Sequence, residues 1–494
     1  MQSAYAATEQ QLNLWVDAAT GSDSNSGAAN FPLRTISAAV YKIPFWVRHP
    51  VTVHVHRGTY AERLDLQFMM VAEGSVTFIG EDWSSHSPRQ GIRSGKFDSS
   101  FGAPSIPNTA TCSAGGWGVD ELKGTFVRIT SGADTGTYLP VASNTQTSLD
   151  FGMPADRRAA GGRDLRGQEF ELVAPAVIVQ QQGAMSHVVN VTGTWPIALN
   201  RAVDGRAFTP LGVQFRNFQF NCGTAHRAIA CGSGGALRLD SCKLELSPNT
   251  IYGLSGYPTS RLTVTDCYWA MHPSPTFPAL PFRNFGVLTG EHARLALNNC
   301  IMDNGRRGVL ATRSTASISG LYQNQQEVGL DVRDSTIDCS GNIVLRGQPS
   351  AVIVSDRSTL LMVPAAGCGF IRDASQAGIA ITQIDLASAG GILVRLRNMD
   401  LDACGSGVLI DGSHNTIQLL GSAIRNSPRW GLNLAGTRIA CFNAVSVDSA
   451  STMSGNISGD FSLDGTNAVS LAALRSSANR EIVDSSRLSR LFES

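Results

Sequence analysis

Charge is scarce in this chain, and what there is cancels. Only 16% of the 494 residues are Asp, Glu, Lys or Arg, against about a quarter in an ordinary soluble domain. The 39 basic side chains face 39 acidic ones, a balance that excludes a protein gripping nucleic acid through a basic face. No stretch approaches the roughly 20 consecutive apolar residues of a membrane-spanning helix, and 43% hydrophobic residues are too many for wholesale disorder. The ten cysteines include no Cys-x-x-Cys pair, which argues against a zinc ribbon or a stapled mini-domain and for reduced, buried thiols. There is no phosphate-cradling glycine loop and no nucleophile elbow. The nine histidines show no metal-ligand cluster, since His54 and His56 share one side of a strand. No metal and no cofactor are expected. The opening residues, Met1 to Glu9, lack the basic and apolar regions of a secretory signal, so synthesis in the cytoplasm without a secretion signal is the expectation.

What the chain has in quantity is glycine, 50 residues of it, within a repeat. Segments beginning at Ala293, Ala316 and Thr336, and again at Leu393 and Thr416, share one pattern and start about 20 to 23 residues apart. Each of the first three has a short apolar alternation, a turn with Asn, Asp or Gly, a second strand introduced by a small residue, and a closing Ser, and the pattern returns in the other two. The period is too short for two helices, and no 3.6-residue apolar stripe runs through it. Alternation such as Leu295 with Leu297, or Val394 with Leu396, gives strands with one buried face. Strands recurring at this spacing without crossover helices predict an all-β, right-handed parallel β-helix whose coils stack at about 4.8 Å. From about Ala174 to Gly459 there is room for roughly a dozen coils, a rod on the order of 60 Å.

Cys222, Cys242, Cys267, Cys300 and Cys404 each follow an alternating strand and a polar or small residue, which predicts a partial cysteine stack beside a turn. A metal ladder would need His or a second thiol at fixed offset. Asn221, Asn299 and Asn304 are expected to satisfy turn backbone groups.

Ahead of the coils lie a strand at Leu14 to Val16, a polar loop, a short helix from about Arg34 capped near Pro32 to Thr35, and a strand at Val51 to Val55. The run Trp15-Val16-Asp17, Gly21 to Gly27, Pro32, Thr35-Ile36 and Ala38-Ala39, followed by Val53-His54-Val55 and Gly58-Thr59-Tyr60, resembles the N-terminal cap of pectate-lyase-like β-helix proteins, which bacteriophage tailspikes and tail fibres commonly carry. The resemblance covers residues 13–80 closely and the coils only as a pattern. It implies a fold and not an activity, because lyases, hydrolases and non-enzymatic spikes share the cap.

The expected organisation is an N-terminal arm at 1–12, the cap and first coils at 13–82, a loop and small all-β insertion at 83–173, the parallel β-helix at 174–460, and a C-terminal cap at 461–494. The insertion, with Gly124, Gly132, Gly136, Asn144-Thr145 and Phe170-Glu171-Leu172, is similar to modules inserted in phage tail proteins. From Leu463 onward the coil pattern fades, as suits a segment covering the last coil. The arm is too short for a head-binding domain, so another domain or protein would supply the socket.

Aligning the strands that end in Ser places Arg313, Arg333-Asp334 and Asp356-Arg357 on three successive coils, with Asp331 and Glu327 on the coil of Asp334. Adjacent coils would separate Asp334 and Asp356 by about 5 Å, and alternate-coil carboxylates by about 10 Å, bracketing the retaining and inverting glycosidase spacings. The group therefore reads as acid and base for sugar cleavage, as Arg and carboxylate for a lyase, or as a ladder of Arg–Asp ion pairs. Asp400, Asp402, Asp411 and His414 carry the same two readings. Scattered aromatics, Trp195, Tyr268-Trp269, Phe282, Phe285 and Trp430, are candidates for stacking on sugar rings. Tyr268-Trp269 beside a Pro-rich loop could equally form a subunit contact.

The resemblance thus implies a phage virion protein of the tailspike or tail-fibre class, a homotrimer on the phage tail that engages bacterial surface polysaccharide and other tail proteins, with or without depolymerase activity. The alternatives are a free polysaccharide lyase or glycoside hydrolase on the same fold, and a structural baseplate or capsid part that never touches sugar.

Overall fold

The computed structural model describes residues 7–476 except 68–69, 72–74, 82, 102–108, 133, 152–164, 181–186, 193–211, 224–226, 248–249, 272–284, 325–326, 365, 367–368, 383–390, 412–414, 435–443, 464–467 and 472–474. Trp195, Phe282, His414 and the tail from 477 lie outside the described residues. The chain divides into two compact units, one built mainly from residues before Met302 and the other from Asp303 onward.

In the first unit, successive coils lay strands onto three parallel sheets. The first sheet stacks Leu12–Val16, Val51–Val55, Val76–Gly80, Val213–Arg216, Ala236–Asp240, Arg261–Thr265 and Arg294–Asp303. The second stacks Gly58–Ala61, Val177–Gln180, Phe218–Cys222, Lys243–Leu246 and Tyr268–Ala270. The third stacks Leu64–Gln67, His187–Thr192, Arg227–Cys231, Tyr252–Gly256 and Phe285–Thr289. Alternate residues point inward, and equivalent ones stack from coil to coil, as Phe78 does on Phe215 at 4.8 Å between ring centres. This is a parallel β-helix, as the repeat predicts.

The helix Ile36–Lys42 closes the N-terminal end of the sequence motif. Thr35 caps it by accepting from Ala38 N, and the Glu62 carboxylate accepts from Ile36 N and Ser37 N at 2.8 Å each, a favourable place for negative charge. Asp23 ties the polar loop down by accepting from Arg34 N and Thr35 N at 2.9 Å. Between Gly80 and Val177 the pairing turns antiparallel: Phe126–Ile129 pairs with Tyr138–Pro140 and Glu169–Pro175, and Thr109–Thr111 with Ser148–Asp150. Trp117, Phe97, Phe126, Phe151 and Phe170 fill this module's own core.

The second unit repeats the three-sheet plan. Its third sheet stacks Arg307–Thr312, Val328–Arg333, Ser350–Ser355, Ala377–Thr382, Ser406–Asp411, Trp430–Leu434 and Gly459–Leu463. The small residue that introduces these strands forms a column, Gly308, Gly329, Ala351, Gly378, Gly407 and Gly431. A Cβ at Gly329 would stand 2.6 Å from the Ala351 carbonyl oxygen, and one at Gly378 would stand 2.7 Å from that of Gly407. Close stacking of backbone on backbone therefore selects glycine here.

The closing serine forms a column too. Ser314 N donates to Ser335 Oγ at 3.0 Å, and Ser335 N donates to Ser358 Oγ at 3.2 Å. The residue just before each turn's inward side chain is left-handed, as at Arg313, Asp334, Asn398 and Asn426.

Two expectations need correction. Cys242, Cys267 and Cys300 do share one column after left-handed Ser241, Asp266 and Asn299, and Cys242 N donates to Cys267 Sγ at 3.3 Å. Cys404 lies instead at the turn between the second and third sheets, and Cys222 ends a second-sheet strand opposite Leu246. The coil pattern also persists past Leu463: Ala468–Leu471 pairs with Ala444–Val447, and Arg475–Ser476 with Thr452–Ser454, both in parallel. Serine and alanine there break the apolar alternation without breaking the pairing.

Candidate functional site

The coils place the expected carboxylates on neighbouring rungs, and Glu327, Asp331 and Asp334 each pair with an arginine. In the second unit, Asp331 points outward from its strand yet its side chain is only 1% exposed. Arg333 donates to it through Nε at 2.9 Å and Nη2 at 2.8 Å, and Arg307 reaches it from the coil before. The Asp331 hydrogen bond raises the pKa of Arg333, against its partial burial. Glu327 pairs with Arg306 at 2.7 Å. Asp334 sits at the left-handed turn between Arg357 at 3.1 Å and Arg313 at 3.5 Å. Asp356, one coil on, accepts from Ser355 Oγ at 3.3 Å, while its Oδ1 is buried with no hydrogen-bond partner.

The second acidic group is arranged likewise. Asp400 pairs with Arg425 and lies 3.7 Å from Arg372, and Asp402 accepts from Asn426 Nδ2 at 2.8 Å. Asp411 is exposed at its strand end.

The expected aromatic platform at Tyr268-Trp269 is not a surface. Trp269 points into the coil at 0% exposure, and Tyr268, at 3%, points outward under the inserted module, where a Cβ on Gly124 would meet its ring at 2.8 Å. Neither offers a ring face to a sugar. Phe285 is 2% exposed, and Trp430 is half-buried at a strand start.

Thiol chemistry is closed off as well. Burial pushes the Cys231, Cys300 and Cys404 thiols up to about 12, and a protonated, buried thiol is a poor nucleophile. Among the described residues no His, Cys, Asp and Glu cluster could hold a metal ion.

A different group assembles on the outward face of the first unit's third sheet. His187, Arg227, Tyr252 and Phe285 occupy one register position on successive coils. The Arg227 guanidinium carbon stands 5.5 Å from the Tyr252 ring centre and 5.3 Å from that of Tyr257, which is 37% exposed. Ala230 and Ser255, small outward residues, occupy matched positions on the same strands. Beside them Asp65 accepts from Asn190 Nδ2 at 3.1 Å and from Arg63 Nη2 at 2.8 Å, with His187 Nε2 at 3.9 Å. Burial and the Arg63 charge lower the His187 pKa against the pull of Asp65. Sequence reasoning missed this group because its members are scattered from residue 63 to 257. The available signal was the position before the small residue on two of the coils: Arg227 before Ala228 and Tyr252 before Gly253.

No protein-family profile matches the sequence, and no curated protein matches it. Among solved structures, the chain is similar to tailspike protein 3 of bacteriophage CBA120, at 12% identity and a TM-score of 0.38 over 64% of this chain and 50% of that one. It spans about half the length of that tailspike. It is also similar to the family 28 exopolygalacturonase of Yersinia enterocolitica, at 10% identity and 0.33 over 95% and 78% of the two chains. A third neighbour is the Gp54 tailspike of Acinetobacter baumannii bacteriophage AP22, solved in complex with A. baumannii capsular saccharide, at 9% identity and 0.19 over 86% and 74%. The coil pairings themselves establish the fold: the protein is a parallel β-helix whose structural neighbours include phage tailspikes and a polygalacturonase.

Proposed function

We propose that this β-helix binds bacterial surface polysaccharide as a tailspike or tail-fibre protein of a phage virion. The observation that carries the reading is the third-sheet face of the first unit. The exposed Tyr257 ring, the Arg227 guanidinium beside it and an Asp65–Asn190 pair supply an apolar ring face for pyranose stacking and polar groups for hydroxyls. A virion location and a homotrimer docked to other tail proteins belong to the same proposal.

The test is retention of the full chain on immobilised capsular polysaccharides and lipopolysaccharides from a broad bacterial panel. The reading expects binding to at least one; retention on none removes it. Labelling that places the protein on the capsid would instead favour a structural decoration.

A depolymerising enzyme is the second reading, and the adjacency of Asp334 and Asp356 on neighbouring coils favours it. Coils stacked at about 4.8 Å approach the roughly 5–5.5 Å of a retaining carboxylate pair. Against it, Asp334 lies between two guanidiniums, and both oxygens of Asp331 accept from arginine, leaving Asp331 no free oxygen for a glycosidic proton. New reducing ends or unsaturated uronate from a bound polysaccharide, abolished by Asp334→Asn with Asp356→Asn, would establish cleavage; none from any bound glycan would leave binding alone.

A further inference from the structure

We infer that Arg227 makes the third-sheet face of the first unit selective for saccharides bearing an anionic oxyacid group, a carboxylate or a phosphate ester. The inference rests on the reading of that face as a saccharide surface and adds the chemical class of the sugar.

Arg227 differs from its neighbour Arg63 on the sheet in having no counter-charge among the described residues. Arg63 is taken up by Asp65, with Nε 2.7 Å from Oδ2. Arg227 makes no ion pair with a described residue, and its Nε is buried with no hydrogen-bond partner. Its terminal nitrogens make no hydrogen bond with a described residue and are not buried without a partner as Nε is, so their donors reach solvent. The two tyrosines hold the guanidinium by cation–π contact and make no hydrogen bond with it, because a ring face accepts charge without consuming N–H donors. The result is a planar fork of unused donors, fixed in orientation. Carboxylate and phosphate oxygens match that fork in a bidentate way, whereas neutral hydroxyls do not. The exposed Tyr257 ring offers the adjoining apolar face of the same sugar a surface to lie on. A guanidinium held beside two aromatic rings with no ion pair to a described residue is accounted for by an anionic ligand.

The experiment uses the full chain and the polysaccharides it retains, each in three forms: native, carboxyl-reduced, and dephosphorylated with cold hydrogen fluoride. Affinity is measured for the wild type, Arg227→Gln and Arg227→Lys, with thermal midpoints confirming that the variants are folded. The inference expects one of the two chemical treatments to weaken wild-type binding by about 10- to 100-fold, the range for hydrogen bonds to a charged group. Carboxyl reduction would identify a uronate-type sugar and dephosphorylation a phosphate ester. Arg227→Gln should show the same loss on the native form and little further loss on the treated one, with Arg227→Lys in between. Equal binding of all three forms, or an Arg227→Gln loss that is the same on native and treated forms, overturns the anionic class while polysaccharide binding stands. Retention of no polysaccharide overturns both.

Discussion

Arg333 grips Asp331 from two residues along the same strand, Nε to Oδ1 at 2.9 Å and Nη2 to Oδ2 at 2.8 Å. Residues i and i+2 share a face of a strand, so the pair forms within one coil, and Arg307 joins it from the coil before. Asp331→Asn would leave two guanidiniums facing each other over a buried position. The expected cost is about 3 kcal/mol, the lower end for breaking a buried pair, since Arg333 keeps access to water. The urea midpoint checks this, and an unchanged midpoint would show that the ion pair contributes nothing.

Serine and cysteine do the same work at the turns. Cys267 Sγ accepts from Cys242 N at 3.3 Å and donates to Thr265 O at 3.2 Å, as Ser335 Oγ accepts from Ser314 N and donates to Arg333 O at 2.7 Å. Cys267→Ala should cost about 1–3 kcal/mol through the buried N–H it leaves unpaired. Cys267→Ser should cost less than Cys267→Ala, because the hydroxyl keeps both bonds. Equal losses in the two unfolding curves would show that the volume of the thiol matters and its hydrogen bonds do not.

Burial predicts that the thiols are silent. Cys222, Cys231, Cys267, Cys300, Cys339 and Cys404 have pKa values raised by desolvation, so iodoacetamide at neutral pH should label none of them in the folded chain and all of them in urea. Rapid native labelling of any of the six, read by peptide mass spectrometry, would contradict the packing.

His86 and His187 predict a loss of stability in mild acid. Burial lowers both pKa values from 6.5, with Glu121 opposing at His86 and Asp65 opposing at His187. Below pH 6.5 the unfolded chain then binds protons that the folded chain still refuses, so stability present above that pH drains away as pH falls toward the folded values. The double variant His86→Gln, His187→Gln should show a shallower fall of the thermal midpoint between neutral pH and about pH 5. Parallel curves for variant and wild type would place the acid sensitivity elsewhere.

The repeat was the legible part of the sequence because coil stacking acts on every rung alike. The small residue before the third strand is Gly329 or Gly378 for want of room above a carbonyl, and the closing Ser is Ser335 for want of a partner for a turn N–H. Both demands recur at the coil period and leave a periodic trace. The fate of single side chains leaves none. Tyr268 is covered by Gly124, more than a hundred positions earlier, and Asp331 is buried by Arg307 on another coil. Asp334 and Asp356 each take the left-handed turn position on neighbouring coils, but the spacing of the sequence does not reveal that turn or the arginines that flank Asp334. Arg227, Tyr252 and Tyr257 meet only because one coil of about 25 residues returns to the same face.

The column of small residues can be tested directly. Gly329→Ala would put a methyl 2.6 Å from the Ala351 carbonyl oxygen and 2.5 Å from Gln323 Oε1. Overpacking of this kind costs about 1–3 kcal/mol or more. A urea midpoint matching the wild type would show that the coils can spread at that rung.

The central claim is that the third-sheet face of the first unit is where polysaccharide binds. The most direct measurement compares the wild type with Tyr252→Ala, Tyr257→Ala on the polysaccharides that the wild type retains, by titration calorimetry, after equal thermal midpoints show both chains folded. The account predicts a loss of affinity of tenfold or more, on the order of the stacking and cation–π contributions of two rings. Unchanged affinity in the double variant would place the polysaccharide elsewhere and contradict the account.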